Sequence, residues 1–145
     1  YSTEDLTIIP TQKRTILAYI AGLVLAMKTP EGEEEPLDTV NRWLETSDEK
    51  DLARIEDAAK REGERETIIA AIPVPEALIS LHLTILNSTY QAALALAEIN
   101  VEVHNPQAGF FAAAKYANFK SKRSAAIVDL TGVVNAALSK ERKTQ

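Results

Sequence analysis

One long apolar stretch, residues 73–104, constrains the fold more than any other part of the chain. Polar residues recur within it at spacings of three and four, which places them on one narrow helical face: Ser80, Thr84, Asn87, Ser88, Gln91, Glu98 and Glu102. A helix with so narrow a polar face is surrounded by other helices on most of its circumference. The sequence therefore predicts a central helix, over residues 75–104.

Prolines and caps divide the rest of the chain into further helices. Pro73 and Pro75 end the preceding helix, and Asn105 followed by Pro106 is typical of a new helix start. The predicted elements are an arm at 1–10 and helices at 11–28, 37–46, 47–71, 75–104 and 106–140. Because short connections make successive long helices antiparallel neighbours, we expect a single all-α domain over residues 1–145. Its predicted architecture is an up-down-up-down four-helix bundle with one additional short helix and an N-terminal arm.

Two segments are expected at the periphery of this bundle. The helix at 47–71 has a thin apolar stripe and many charges, so we expect it to be the most exposed. Thr46 and Glu49 have the spacing of a capping box at its start. The arm is expected to lie on the bundle, since an unpaired strand is marginal alone; its apolar side chains are Leu6, Ile8 and Ile9.

Composition excludes several classes of protein. The chain of 145 residues has no cysteine, which excludes disulfides, thiolate metal sites and cysteine nucleophiles. A net charge of -5 disfavours nucleic acid as a partner. The longest uncharged apolar stretch, residues 15–27, is shorter than the roughly 20 residues that span a bilayer, so no transmembrane segment is predicted.

The start of the chain suggests a location. It begins at Tyr1, and its one methionine is Met27, inside a predicted helix. We interpret this as the loss of an export signal or a membrane anchor, which favours an extracytoplasmic or membrane-tethered protein. A cytoplasmic location is the alternative.

Sequence patterns for catalysis or metal binding are absent. Neither histidine follows a glutamate by three residues, as a di-iron bundle requires, and there is no zinc-protease motif or phosphate-binding glycine loop. The acidic segment at 31–36 lacks the ligand pattern of a calcium loop and is expected to be exposed. We therefore predict no catalytic residues, no metal and no cofactor.

His82 allows two interpretations. It lies on an apolar stripe with Leu78 and Ile85, which favours a core histidine that is hydrogen-bonded to a neighbour. In the alternative it lines a pocket between helices; the predicted ligand-binding residues are then His82, Tyr90, Tyr116 and Arg14. The other histidine, His104, is expected at the end of the central helix, where the helix dipole favours a positive charge.

A basic cluster lies in the predicted last helix. Its cations, with Tyr116 and Phe119 between them, suggest binding to anionic lipid head groups, an anionic polymer or an acidic protein face; they are Lys115, Lys120, Lys122 and Arg123. The simpler interpretation is that the aromatic residues pack in the core. The run at 120–123 interrupts the apolar stripe, which we interpret as a bend or as the point where the helix outgrows its partners.

Four short stretches resemble a group of uncharacterised helical proteins. They are AspLeuThrIleIlePro at 5–10, ThrPro with the acidic run at 29–35, LeuGluThr with Asp48 at 44–48, and ProValProGlu at 73–76 with Leu78, His82, Leu83 and Asn87. The group is similar in length and looks like exported or membrane-tethered proteins of ultra-small bacteria of the candidate phyla. The resemblance covers most of the chain and implies an envelope or extracellular location, with no catalytic residues to transfer.

Two functions follow from the sequence. The favoured one is a non-catalytic extracytoplasmic helical-bundle protein with a binding or structural role at the cell envelope, as an accessory to a surface or secretion assembly. The alternative is a small helical enzyme or ligand-binding bundle with a pocket near His82. The predicted partner is an unknown protein or an anionic envelope surface, and the predicted state is a monomer or homodimer.

Overall fold

The computed structural model describes residues 1–101 and 105–142, and they are mostly helical. The helices are α1 (Lys13–Met27), α2 (Pro36–Thr46), α3 (Glu49–Ala70), α4 (Ile79–Val101) and α5 (Pro106–Arg142). Two short strands, β1 (Ile8–Ile9) and β2 (Val74–Pro75), form a parallel pair. The prediction of a fold built from packed helices is confirmed.

The apolar core has two parts, and the three long helices α3, α4 and α5 contribute to both. The first cluster lies under α1 and includes Ile16, Tyr19, Leu23, Ile69, Leu86 and Leu130. The second lies under α2 and includes Val40, Trp43, Ile55, Leu96 and Tyr116. Helix α4 packs against both α3 and α5, as expected for the central helix.

The clusters also give the helix directions. The end of α4, at Leu96 and Ile99, meets the start of α5, at Ala112 and Tyr116. Likewise the end of α3, at Ile69, joins the same cluster as Leu86 in the first half of α4. Both pairs of neighbours are therefore antiparallel.

The predicted capping box at the start of α3 is wrong. Ser47 ends α2 in the left-handed conformation, with φ of 55°, so the helix begins at Glu49. Its cap is Asp48, whose carboxylate accepts a hydrogen bond of 2.9 Å from the Lys50 amide. The Thr46 hydroxyl instead donates to a carbonyl one turn earlier in α2. Asp is as good a cap as Thr, and the chain reversal at Ser47 decides between them.

The central helix also starts later than predicted. Pro75 was expected in its first turn, but Val74 and Pro75 are extended, as the two prolines favour, and pair with the arm. The Val74 amide donates to the Thr7 carbonyl at 2.8 Å. A 3-10 turn, Glu76–Leu78, then leads into α4. The fold therefore contains a small sheet that the all-α prediction lacked, while His104 lies outside the described residues.

The arm lies on the bundle as expected, and α3 is less peripheral than expected. Leu6 packs against the first cluster, although Ile8 stays 40% exposed. Helix α3 contacts α1, α2 and α4, and it buries one complete face. That face includes two carboxylates, Asp51 and Glu62, which the expectation of a mainly solvated helix did not anticipate.

Candidate functional site

His82 lies in the core. It is fully buried, and its Nδ1 is 3.1 Å from the hydroxyl oxygen of Tyr19 on α1. The other ring nitrogen, Nε2, is buried without a hydrogen-bond partner among the described residues. Burial lowers the pKa of His82 to about 4, because desolvation disfavours the charged ring. This is the core histidine of the simpler interpretation, with a neutral ring near neutral pH.

The other predicted ligand-binding residues lie apart from His82. Tyr116 is buried in the second cluster, whereas Tyr19 beside His82 belongs to the first. Tyr90 is 39% exposed and packs edge-on against the ring of Tyr1. Arg14 is exposed in the first turn of α1. The fold does not bring these four predicted residues together.

The four predicted anion-binding cations have separate environments. Lys115 pairs with Glu98 on α4 at 2.9 Å, and Lys120 pairs with Glu35 at 2.5 Å. Lys122 lies over the ring of Phe119, with Nζ 5.3 Å from the ring centre. The fourth, Arg123, is only 4% exposed. The four therefore do not form one open basic surface.

Arg123 belongs to a buried charged cluster with Glu62, Arg65 and Thr89. One nitrogen of its guanidinium donates to Glu62 Oε2 at 2.5 Å and to the Thr89 hydroxyl at 3.3 Å. Arg65 pairs with the same carboxylate, and its Nε donates to the Ala26 carbonyl at 3.1 Å. One carboxylate thus serves two guanidiniums, so this cluster carries a net charge of +1. Along α3, α4 and α5 it lies between the two apolar clusters.

The acidic segment between α1 and α2 lies above this cluster. We call residues 28–35 the acidic loop. Glu33 pairs with Arg61 on α3, and Glu35 pairs with Lys120 on α5. Glu34 takes two hydrogen bonds from the Arg42 guanidinium on α2, at 2.6 and 2.8 Å. Three consecutive carboxylates therefore hold cations on three different helices.

Arg42 also connects the loop to the start of α3. Its guanidinium donates to both oxygens of Asp51, at 2.8 and 2.6 Å, and this holds the pKa of the Asp51 carboxyl below its usual range. The same guanidinium, helped by the Thr39 hydroxyl, lowers the pKa of Glu34 to about 2. Because that pKa is lowered by folding, the Glu34 contact stabilises the protein above pH about 4.5 and is lost as the pH falls toward 2.

A cleft of about 290 Å³ opens between the acidic loop and the helices. Its charged and hydroxyl-bearing lining comprises Thr29, Glu33, Glu34, Glu35, Arg61, Glu62, Arg65, Tyr116, Lys120, Arg123 and Ser124. A second cleft, of about 320 Å³, lies beside the first and shares Glu33, Glu34 and Arg61 with it. The loop thus stands over a depression that is open on both of its sides.

The cleft offers fixed cations but little for bond-breaking chemistry. Burial raises the pKa of the Tyr116 hydroxyl well above its usual value, so this group stays protonated near neutral pH. The remaining groups are the hydroxyls of Thr29 and Ser124, guanidiniums, an ammonium and carboxylates held in ion pairs. Arginine and lysine in such a setting recognise carboxylate or phosphate groups.

Within residues 1–101 and 105–142, no three His, Asp or Glu side chains come together as a metal site would require. In the same part of the chain, no helix combines the length and the apolar character needed to cross a bilayer.

The roles of Glu62, Arg65 and Arg61 were not predicted from the sequence, and Lys120 and Arg123 were considered only as part of a basic cluster that binds an anionic partner or interrupts the apolar stripe. A signal was present, however. Glu62 is on the same helical face as Ile55 and Ile69, at a spacing of seven from each. A charged residue at an apolar position of α3 is what a buried ion pair requires, and Arg123 in α5 has the opposite sign.

Comparisons with protein-family models, with curated proteins and with solved structures found no match to this chain. The residues and their geometry are therefore the basis for a function.

Proposed function

We propose that the protein is a non-catalytic helical-bundle protein of the cell envelope that binds an anionic group of a partner in the cleft beneath the acidic loop. One observation supports the binding role. Among the described residues, the helices contribute Arg61, Arg65, Lys120 and Arg123 to the cleft, but only one carboxylate, Glu62. All the other acidic groups of the lining come from the loop.

Burial strengthens the effect of the positive charge that the helices contribute to the cleft. The side chains of Arg123 and Glu62 are each 5% exposed, and the side chain of Arg65 is 12% exposed. Charges that are poorly screened by water attract an anion more strongly than the same charges on an open surface. Arg61 and Lys120, at 35% and 33% exposure, are the cations that a ligand reaches first.

A titration with citrate, a small trianion, tests the site. We expect citrate at low salt to shift the NMR amide signals of the cleft residues in the isotope-labelled protein. The Arg61→Gln/Lys120→Gln variant should bind about tenfold more weakly, since removing two contacts at a partly exposed site costs about 1–2 kcal/mol.

Lys115→Gln is the matched control, because Lys115 pairs with Glu98 away from the cleft. Citrate affinity of this variant should equal that of the unmodified protein. Shifts spread evenly over the surface, or an affinity that the double variant retains, would contradict the proposed site.

The envelope location rests on the resemblance to exported helical proteins. Fractionation of cells that produce the native protein tests it directly. Recovery with the envelope or in the medium supports the proposal, and recovery with the cytoplasm contradicts it.

The finer architecture is also part of the proposal. We assign the chain to the up-down-up-down four-helix bundles, with α2 as the additional short helix, because α3, α4 and α5 are successive antiparallel neighbours. We expect a monomer or homodimer, and light scattering coupled to gel filtration distinguishes the two.

A further inference from the structure

The acidic loop is attached to the body of the protein by charge and not by apolar packing. Its sequence, LysThrProGluGlyGluGluGlu at 28–35, contains no large apolar side chain apart from the proline ring. Every residue of the loop except Glu33 is exposed. The loop turns at Gly32, which has a φ of 78° and open space around it. The contacts of Glu33 and Glu35 with the partly exposed cations Arg61 and Lys120 form and break at small cost.

The loop also fills the positions that a bound anion would occupy. Glu33 and Glu35 are paired with Arg61 and Lys120, the two cations at the mouth of the cleft. Without the loop, the charged groups of the lining that the structure describes would be four cations and the single carboxylate of Glu62. The loop therefore neutralises the very charges on which the proposed function depends.

We infer that the acidic loop is a tethered competitor of the cleft, and that the partner is an acidic peptide segment which displaces it. This inference rests on the proposed function and adds to it the class of partner and a form of regulation. Only molecules whose cleft is free of the loop bind the partner. The apparent affinity for the partner is therefore the intrinsic affinity multiplied by the fraction of such molecules.

The arrangement of the loop favours a peptide over a single small ion. Its consecutive glutamates reach cations on α2, α3 and α5, so one extended run of carboxylates bridges three helices. A small anion contacts one part of this set, whereas a partner segment with successive acidic residues reproduces the whole of it. Part of the affinity then comes from the number of contacts made at once.

The test compares loop variants in peptide binding. The probe is a synthetic peptide with the sequence of residues 29–37, ThrProGluGlyGluGluGluProLeu, and its control has glutamine in place of every glutamate. Glu33→Gln/Glu35→Gln frees the two cations at the mouth of the cleft but keeps the Glu34 contact with Arg42. We expect this variant to bind the acidic peptide about tenfold more tightly than the unmodified protein does, as for a cleft that is otherwise about nine-tenths occupied.

Glu31→Gln/Glu45→Gln is the matched control variant. It also removes two negative charges, but from exposed positions that take part in no ion pair among the described residues. Its affinity for the peptide should equal that of the unmodified protein. If it gains affinity as much as Glu33→Gln/Glu35→Gln, the effect is one of net charge and the inference is overturned.

The outcomes also separate the inference from the proposed function. In one outcome, Glu33→Gln/Glu35→Gln binds the acidic peptide as tightly as the unmodified protein does, while Arg61→Gln/Lys120→Gln loses binding. That outcome supports the binding site but overturns the competitor role of the loop. Binding of the glutamine control peptide as tightly as the acidic one overturns the acidic partner. Absence of peptide binding by every variant at low salt, together with no response to citrate, overturns both.

Discussion

Replacement of Glu62 is expected to destabilise the protein much more than replacement of Arg123, although the two side chains form one ion pair. Glu62 is the single carboxylate of a buried cluster with two guanidiniums, those of Arg65 and Arg123. In Glu62→Gln the charge of the cluster rises from +1 to +2, and both guanidiniums lose their anion. In Arg123→Met the charge falls to zero, and Glu62 keeps its contact with Arg65.

The magnitudes follow from burial. Removing one partner of a buried pair costs about 3–5 kcal/mol when an uncompensated charge remains, which is the situation in Glu62→Gln. Arg123→Met leaves no such charge, and the methionine keeps most of the apolar packing of the arginine stem, so we expect about 1–2 kcal/mol. The double variant should lose less than the sum of the two single variants, with a coupling of about 1–3 kcal/mol.

Urea unfolding, followed by circular dichroism and by the fluorescence of Trp43, measures these free energies. Glu98→Gln and Lys115→Met are the controls, since that exposed pair contributes at most about 1 kcal/mol. A loss from Arg123→Met as large as that from Glu62→Gln, or a loss below about 1 kcal/mol in Glu62→Gln, would refute the account of one carboxylate that serves two cations.

Two further predictions concern the core. The free energy of unfolding should fall by about 3 kcal/mol as the pH drops from 6.5 toward 4, because His82 is protonated in the unfolded chain before it is protonated in the folded protein. An NMR titration of the His82 ring with a midpoint near 6.5 would contradict this prediction. Gly63→Ala, on an open helix surface, should raise the free energy of unfolding in urea by about 1 kcal/mol. Gly109→Ala should not raise it, because the new Cβ would lie 3.1 Å from the Trp43 ring. An equal rise in both variants would contradict that contact.

The central helix could be predicted because its evidence is local. Residues 73–104 show one narrow polar face, and prolines mark both ends, so periodicity alone places the helix among others. The short sheet could not be predicted in this way. Val74 and Pro75 are extended because of Pro73 and Pro75, but their partner is β1, more than sixty residues earlier in the chain. Pairing over such a distance has no signature in either segment.

The candidate site was missed for a similar reason. The run at 120–123 was interpreted as an interruption of the apolar stripe in the last helix, whereas Arg123 in fact lies on the buried face. Its burial depends on Glu62 in α3, and neither residue by itself distinguishes a buried ion pair from two solvated charges. The acidic segment at 31–36 was expected to be exposed, and it is except at Glu33 and Pro36. The cations beneath it come from three helices that are separate in the sequence.

The position of the buried ion pair also fixes how the helices are aligned along their lengths. Contacts between the apolar side chains on either side of the pair are not directional. The two core clusters alone would therefore tolerate a shift of α5 along its axis relative to α3. A slide by one turn is about 5.4 Å, and it would separate Arg123 from Glu62 and bury both among apolar side chains. The pair therefore sets the register between α3 and α5. Substitutions within one apolar cluster can accumulate independently of the other cluster, provided that Glu62 and Arg123 remain paired.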